Sequence, residues 1–508
     1  MQAESRNRLS AFDYSFKTTR VHLFFISFIL YHVIAEKSIF FNKTHNISQT
    51  GNYEKVSLRK PLTSVPDCGI IFCGIKSERG KKMINYDSAE YKRSRAAYMA
   101  QCAFEYFISI LVADAFLAKL LSSIGINDSL IGIISSFISM AFIFQLISIF
   151  LMMRKINVKK MIITCDTVSI MFFMLLYLVP FIPVGVGIKT AIVTVGVLAA
   201  YFMKYLIYSM CYKWANSYVE PQKRARYSAT KEIISLLSGI VFTAAAGYAI
   251  DKYESLGNLN GGFLFLAAAI LILNICNFVS LMMIGGKSET AEEEPVALAD
   301  VMKNTVGNRS FRNVIIMTVM WNVAQYFTIG FLGIFKTKDL MISVFAVQVI
   351  NMIANFARMA VSRPFGKYSD KKSYAKGFNL AMMMAAAAFF INIFTTNATW
   401  YLIIAYTVLY NCSLAGSNQN SFNITYSYVK SEYITQAMAI KNSIGGVCGF
   451  LASVLGGKIL AVVQANNNMI FGIHIYGQQL LSAVSCVITL AVVVFIHKVI
   501  EKQKVTIR

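Results

Sequence analysis

Four ionisable side chains lie inside long apolar stretches of this sequence, where a charge is costly unless it meets a partner or a water-filled cavity. Asp114 lies in the middle of "ISILVADAFLAKLL", and Lys204 lies within "LAAYFMKYLIYSM". Glu105 and Arg358 lie nearer the ends of their own apolar stretches. Such groups could bind a solute or an ion, or they could form ion pairs that only stabilise the fold.

Helical spacing places several of these side chains on shared or opposed faces. Tyr201 and Tyr208 stand three positions before and four positions after Lys204, so all three share one face. Glu105 precedes Asp114 by nine positions, which at about 100° per residue predicts opposite faces. We therefore expect Glu105 to serve in packing or interfacial anchoring. We expect Arg358 to reach toward the nearer membrane surface.

Two further apolar stretches carry stripes of hydroxyl and amide side chains. One stripe contains Thr318, Asn322, Gln325 and Tyr326, and the other contains Thr407, Asn411 and Asn418. Amides in hydrocarbon need hydrogen-bond partners, which they find either in neighbouring helices or in a bound solute. Both interpretations stand for each residue at this point.

The elements that must position these residues are membrane-spanning helices. The chain has 508 residues, of which 56% are hydrophobic and 14% charged, whereas a soluble domain has roughly 25% charged residues. Apolar runs, each near the roughly 20 residues that a spanning helix needs, recur from residue 98 to residue 497. About twelve such spans predict an all-α integral membrane protein.

The distribution of basic residues predicts the topology. The formal net charge is +23. Basic residues concentrate after even-numbered spans: Arg154, Lys155, Lys159, Lys160, Lys223, Arg224, Arg226, Lys367, Lys371, Lys372, Lys376 and Lys430. Segments after odd-numbered spans carry few, namely Lys189, Lys252, Lys336 and Lys338. This asymmetry predicts cytoplasmic termini in a cell membrane, and it explains the charge without a nucleic-acid partner.

The sequence offers little for catalysis, metal binding or cofactors. Its nine cysteines are scattered, and Cys68 and Cys73 have the wrong spacing for a zinc knuckle. It has no phosphate-binding glycine loop, no HExxH and no nucleophile elbow. We therefore expect no enzyme, no metal and no cofactor.

An internal repeat divides the chain into two halves. Residues 217–247 align without gaps to residues 427–457, at an offset of 210, with Lys231 matching Lys441 among eight identities. The alignment pairs span five with span eleven, as two parallel six-helix repeats require. Both spans carry small residues at helical spacing, which predicts close packing against neighbouring helices.

These patterns predict five segments. They are an extension (1–95), a first six-helix half (96–285), a cytoplasmic linker (286–312), a second six-helix half (313–497) and a cytoplasmic tail (498–508). The extension contains "VHLFFISFILYHVIAEKSIFF", but counting it as a span would reverse the charge topology. We expect residues 1–82 to be peripheral or disordered, or to precede a natural start at Met83.

The stretch "FGKYSDKKSYAKG", residues 365–377, resembles the cytoplasmic signature of the major facilitator superfamily. Gly366, Asp370, Lys371 and Lys376 match its pattern, in the place of the family's second copy. We expect Gly366 to form a tight turn and Asp370 to face the amino-terminal end of span eleven. The resemblance implies a conformational latch. The first-half counterpart, "RKINVKKM", lacks both the glycine and the aspartate, so a symmetrical latch is not expected.

The resemblance, over roughly residues 90–500, implies the superfamily fold with spans one, four, seven and ten around a central cavity. It makes Asp114 and Lys204 candidate facing groups, as an ion pair or as solute contacts. The full candidate set for solute or coupling ion is Asp114, Tyr201, Lys204, Tyr208, Asn322, Gln325, Asn411 and Asn418.

The implied function is secondary active transport of a small organic solute (sugar, nucleoside or peptide-like) by alternating access. Ion-coupled uptake by a monomer is expected, with a proton or sodium as the coupling ion. The alternatives are efflux of amphipathic or cationic compounds and a non-transporting membrane sensor. Span five lacks the glycine-proline signature of drug antiporters, which disfavours efflux.

Overall fold

The computed structural model describes residues 86–152, 157–220, 224–286, 303–430, 433–470 and 472–503. The expectations for residues 1–82 lie outside this described part. The helices of the described chain follow the twelve predicted spans in order, and we number them α1 to α12.

The first half contains α1 in two segments, α2 in three segments, and α3 to α6. Their bounds are α1a Ala89–Leu111, α1b Asp114–Ser123, α2a Asp128–Ser135, α2b Phe137–Ala141, α2c Phe144–Met152, α3 Val158–Leu176, α4 Val186–Asn216, α5 Arg224–Ser255 and α6 Leu259–Met283. A short 3-10 turn, Val179–Phe181, follows α3.

The second half contains α7 in two segments and then α8 to α12. Their bounds are α7a Arg309–Tyr326, α7b Ile329–Ile334, α8 Val344–Lys371, α9 Tyr374–Ile393, α10 Leu402–Tyr426, α11 Ile434–Ala465 and α12 Gly477–Phe495. π-helical turns extend α7b through Phe335–Asp339 and α12 through Ile496–Ile500. An antiparallel hairpin, β1 Met469–Ile470 and β2 Ile473–His474, joins α11 to α12.

Helix α1 breaks in the middle of its span. Ala113 is extended, with φ −137° and ψ 174°, and Asp114 has a positive φ of 45°. Positive φ is uncommon for residues other than glycine, although aspartate tolerates it better than most. No proline or glycine occurs between residues 96 and 124 to signal the break in the sequence. The direction of Asp114 is therefore set by this break and not by the helical spacing of α1a.

Nine helical segments of the described chain are long and apolar enough to cross a membrane. Helices α1, α3 and α10 are not among them. These three carry polar groups within their apolar sequences, including Glu105 on α1, Asp166 on α3 and Asn411 on α10.

Contacts between helix ends define two sides of the bundle. Lys159 at the start of α3 donates to the carbonyls of Met282 and Ile284 at the end of α6, at 2.9 and 2.6 Å. Arg95 near the start of α1 donates to the carbonyl of Tyr218 after α4, at 3.1 Å. We call this side, where α1 begins and α12 ends, the terminal side. The other side is the opposite side.

The two halves meet where α2 crosses α11 and where α5 runs beside α8. Hydroxyl bonds cross the α2–α11 contact from Ser129 to the Gly457 carbonyl, from Ser139 to the Gly446 carbonyl and from Ser443 to the Phe142 carbonyl, at 2.7, 2.7 and 2.8 Å. At the α5–α8 contact, a Cβ on Gly247 would lie 3.0 Å from the Phe345 Cα. The predicted close packing of the small residues on spans five and eleven is confirmed.

Gly446 gives a direct test of this crossing. A Cβ at this position would lie 2.3 Å from the Ser139 carbonyl oxygen, a backbone atom that cannot turn aside. We expect Gly446→Ala to destabilise the protein by about 1–3 kcal/mol, because the two backbones must separate. The measurement is the apparent thermal unfolding midpoint of the detergent-purified protein.

Gly187 provides the matched control, because a Cβ there would meet no atom within 4 Å. We expect Gly187→Ala to leave the midpoint unchanged. Equal midpoints for the two variants would show that the close approach of α2 and α11 does not limit stability.

Candidate functional site

An ion pair between α1 and α4 lies within the first half. The Lys204 ammonium is 2.8 Å from Oε1 of Glu105, and Gln101, one turn earlier on α1a, donates to Glu105 Oε2 at 2.9 Å. The side chains of Lys204 and Glu105 keep 21% and 28% of their surface accessible. Both charges are therefore compensated yet within reach of water or of a solute.

This pair corrects two sequence-based expectations. Glu105 was assigned to packing or anchoring, and Lys204 was expected to face Asp114. Instead Glu105 is the partner of Lys204, while Asp114 turns toward the second half. The cause is the break in α1, which ends the regular spacing of α1a at Leu111 and sends Asp114 elsewhere.

A further carboxylate lies near this pair. Asp166 on α3 is buried and accepts a hydrogen bond from the amide of Asn277 on α6. It is close enough to Glu105 and Lys204 to interact with both electrostatically. Asp166 was not among the residues predicted for the site, although a carboxylate inside the apolar run "MIITCDTVSIMFF" was a visible signal.

The repeat-related lysines of α5 and α11 are also inside the bundle. The Lys231 ammonium lies 4.9 Å from the centre of the Tyr98 ring, a cation–π contact. Lys441 is buried, and it donates to Ser421 Oγ at 2.9 Å and to Thr425 Oγ1 at 3.3 Å. The repeat identified both positions, but the sequence did not indicate their different partners.

Tyrosines extend the first-half cluster along α4. Tyr201 is buried against Phe173 at a ring-centre distance of 5.1 Å, whereas Tyr208 is 52% exposed. Tyr205 lies between them, 6.4 Å from Tyr201 and 5.8 Å from Tyr208. Of the two predicted tyrosines, Tyr208 is thus the accessible one.

The second half contributes a network of amides and aromatic rings. Gln325 donates to Asn322 Oδ1 at 3.0 Å and accepts from the Tyr410 hydroxyl at 3.2 Å, which links α7a to α10. Trp321 stacks on Tyr410 with ring centres 6.4 Å apart. Asn322 and Gln325 were predicted to share one stripe of a helix, and in the structure their side chains are hydrogen-bonded to each other.

The two predicted amides of α10 lie outside this network. Asn411 donates to the Thr407 carbonyl of its own helix, at 2.9 Å. Asn418 is exposed on the half of α10 nearer the terminal side, as is its neighbour Gln419. Within the described residues neither amide hydrogen-bonds to the Gln325 network, and the Asn418 side chain is exposed.

Asp114 joins the two halves on the opposite side. Its carboxylate is 3.1 Å from the Lys336 ammonium and accepts from the Asn351 amide at 3.1 Å. Lys336 is only 3% exposed, and a Cβ on Gly333 would lie 2.5 Å from the Asp114 carbonyl oxygen. Lys336 was predicted to lie in a segment between spans, which is wrong because the π-helical turn carries α7 onward to Asp339.

Two more carboxylates of the first half bind the second half on the same side. Asp128, at the start of α2, accepts from Lys338 at 2.7 Å and from the Gln464 amide at 2.8 Å. Asp251, near the end of α5, accepts from the backbone N–H groups of Val344 and Phe345 at 3.1 and 2.7 Å. An aspartate there also suits the positive end of the α8 dipole. We call these contacts, with Asp114–Lys336, the three-carboxylate gate.

The signature stretch adopts a different local structure from the one expected. Gly366 lies inside α8, which runs through Pro364 to Lys371, so the predicted tight turn at Gly366 is wrong. Lys372 and Ser373 alone separate α8 from α9. Asp370, Lys371 and Lys376 are exposed. Within the described residues Asp370 makes no hydrogen bond to α11, so the proposed latch is not engaged here.

No group of three or more histidine, cysteine, aspartate or glutamate side chains within the described ranges could hold a metal ion. The arrangement is therefore a set of ion pairs, amides and aromatic rings between two helical halves. Such a site can bind and release a solute, and its charges can gain or lose a proton.

Comparisons with known proteins agree with this arrangement. The family model of the Major Facilitator Superfamily matches residues 97–453. No curated protein sequence matches the chain.

Three solved structures illustrate the shared fold. The nucleoside transporter NupG is 12% identical, with a TM-score of 0.58 over 82% of this chain and 100% of its own. An auto-inhibited POT family peptide transporter is 10% identical, with a TM-score of 0.61 over 82% and 98%. A D-xylose-proton symporter is 12% identical, with a TM-score of 0.59 over 81% and 98%.

Identities this low show the fold alone, while the family match covers most of the chain. The solved structures confirm the predicted all-α fold, and the family match confirms the superfamily resemblance predicted from the sequence. The chain therefore belongs to the Major Facilitator Superfamily, as a multi-pass membrane transporter and not an enzyme.

Proposed function

We propose that this protein is a secondary active transporter that takes up a small polar organic solute by alternating access, coupled to protons. The observation that carries the proposal is the accessible Glu105–Lys204 pair of the first half, together with the amide and aromatic network of the second half. One half offers charges that can titrate, and the other offers neutral hydrogen-bonding groups.

The proposed orientation places the terminal side in the cytoplasm, because basic residues concentrate there. The three-carboxylate gate then closes the extracellular side. Tyr208, Asn418 and Gln419 are exposed toward the cytoplasmic half of the bundle. The structure accordingly corresponds to an inward-open state in this proposal.

The proposed solute is neutral or zwitterionic, such as a nucleoside, a sugar or a small peptide. Glu105 and Lys204 cancel each other's charge. The nearby lining consists of Gln325 and aromatic rings, which suit hydroxyl and amide groups and flat ring faces. Named transporters of the same fold include ones for nucleosides, peptides and D-xylose.

The proposed coupling step is protonation of Glu105. A proton on this carboxylate removes the charge that holds Lys204, so the lysine becomes available to a solute or to Asp166. Release of the proton on the cytoplasmic side restores the pair and displaces the solute. The ionised Glu105 carboxylate and the solute thus compete for Lys204, so binding of the proton and binding of the solute favour each other.

The function as a whole is tested by uptake into proteoliposomes. Radiolabelled uridine, D-xylose and a dipeptide serve as probes, with and without an inward proton gradient. Accumulation of one probe that needs the gradient supports the proposal. Flux of none of them would favour the non-transporting sensor, and gradient-driven release of hydrophobic cations would favour efflux.

Variants of the Glu105–Lys204 pair separate binding from coupling. We expect Lys204→Met to lower uptake about tenfold or more, because it leaves the Glu105 carboxylate without its cation. We expect Glu105→Gln to retain solute exchange but to lose stimulation by the proton gradient. Initial uptake rates and counterflow rates measure the two effects.

The control for this pair is Lys92→Met, because Lys92 pairs with Asp87 at 4.0 Å at the start of α1, where both side chains are mostly exposed. It should leave both rates unchanged. Full stimulation by the gradient in Glu105→Gln would show that Glu105 does not carry the coupling proton.

The three-carboxylate gate predicts a change in conformational populations. In Asp114→Asn the Lys336 ammonium loses its counter-charge, so the closed extracellular side is destabilised by about 1–2 kcal/mol, or about tenfold in population. Spin labels on the exposed residues Asn127 and Asn466, one in each half, report the separation. We expect longer distances in Asp114→Asn, and an unchanged distribution would exclude a gating role for this pair.

The proposed Asp370 latch makes the complementary prediction. Since Asp370 is exposed in this conformation, Asp370→Asn should not alter the state described here. It should lower the population of the outward-open state and so slow uptake several-fold. The same spin labels would then show fewer long distances, and an unchanged uptake rate would argue against the latch.

A further inference from the structure

A lysine occupies the outward-facing stripe of α11. Leu451, Leu455 and Val462 are 55%, 54% and 63% exposed, and Lys458 shares their face because it follows Leu451 by seven positions. The other face of α11, with Gly446 and its neighbours, contacts the first half. Lys458 therefore points away from the other half, among side chains whose surroundings are lipid.

Lys458 borders an open groove of about 520 Å³ between α11 and the start of α12. Its lining is mostly apolar and includes Ile459, Val462 and Leu480. Met469 of the β-hairpin and Asn466 complete the lining toward the opposite side. The groove is thus hydrophobic along its length and has one cation at its edge.

The position of the lysine in the membrane makes this cation unusual. Helix α11 continues for seven residues beyond Lys458, to Ala465, which is about 10 Å of helix. Within the described chain, Lys458 has no ion pair or hydrogen bond through its side chain. A lysine at such a depth is costly unless an anion meets it or its side chain reaches the interface.

We propose that this groove binds one anionic phospholipid from the leaflet on the opposite side. The lipid phosphate pairs with the Lys458 ammonium, and an acyl chain lies along Ile459, Val462 and Leu480. A phospholipid is the occupant that fits, because it joins a phosphate anion to a long apolar chain, which matches a lysine at the edge of an apolar groove. The site is separate from the proposed solute pathway.

The other half of the molecule does not repeat this feature. At the offset of 210 residues, Lys458 corresponds to Tyr248, whose ring lies 6.2 Å from that of Phe345. The exposed lysine of α5, Lys252, lies in the last turn of its helix, where it reaches water directly. Lys252 therefore has the same charge as Lys458 and lies toward the same side of the membrane, but it does not line the groove.

The test counts lipids bound to the full-length protein. Delipidated protein is mixed with dioleoylphosphatidylglycerol or dioleoylphosphatidylcholine in detergent, and native mass spectrometry measures the bound fraction. We expect tighter binding of phosphatidylglycerol, and an affinity about fivefold lower in Lys458→Met, as one lysine near the surface provides. Lys458→Arg should retain binding.

Two further variants make the outcome specific. Val462→Trp fills the groove but keeps the charge, and it should also weaken binding; Val462 is 63% exposed, so the core is not disturbed. Lys252→Met should bind lipid like the wild type. Equal binding by Lys458→Met and wild type, retained binding in Val462→Trp, or no preference for the anionic lipid would each overturn the proposal.

Discussion

The need to compensate every charge inside the hydrocarbon region determines how this bundle is assembled. Glu105 pairs with Lys204 and Asp114 with Lys336, while the buried Lys441 rests on hydroxyl groups. Leaving any of these without a partner in a bilayer would cost several kcal/mol. Each pair therefore fixes the relative position of two helices, and the helices in turn fix the aromatic and amide side chains around them.

The charges are also sorted between the halves. In the three-carboxylate gate all three carboxylates belong to the first half, and the lysines and the α8 amino terminus belong to the second. Each of these contacts of the gate therefore joins the first half to the second half. When the halves separate, water must solvate the carboxylates of the first half and the lysines and α8 amino terminus of the second half. The closed side therefore opens only as far as this hydration offsets the lost ion pairs.

Hydropathy and charge spacing predicted the number and order of the helices well, because a bilayer imposes a nearly fixed span length. The side-chain partners were harder to predict. The break before Asp114 has no proline or glycine nearby, and the π-helical turn that carries Lys336 into the bundle has no sequence signature of its own. A sequence pattern locates a charge along the membrane normal, whereas its partner depends on how helices are arranged around it.

The signature stretch shows the same limit in another form. Its glycine suggested a turn, yet α8 continues to Lys371 because packing of Phe365 and Ser369 into the second half extends the helix beyond the hydrophobic span. Asp370 is consequently carried past the bundle on a helix end and not on a loop. If the proposed latch forms, it does so by movement of α8 itself, since no loop separates Asp370 from the amino-terminal end of the helix, which Asp251 caps. Helix α8 would then join the three-carboxylate gate on the opposite side to the proposed latch on the terminal side, so that opening one side and closing the other are a single displacement.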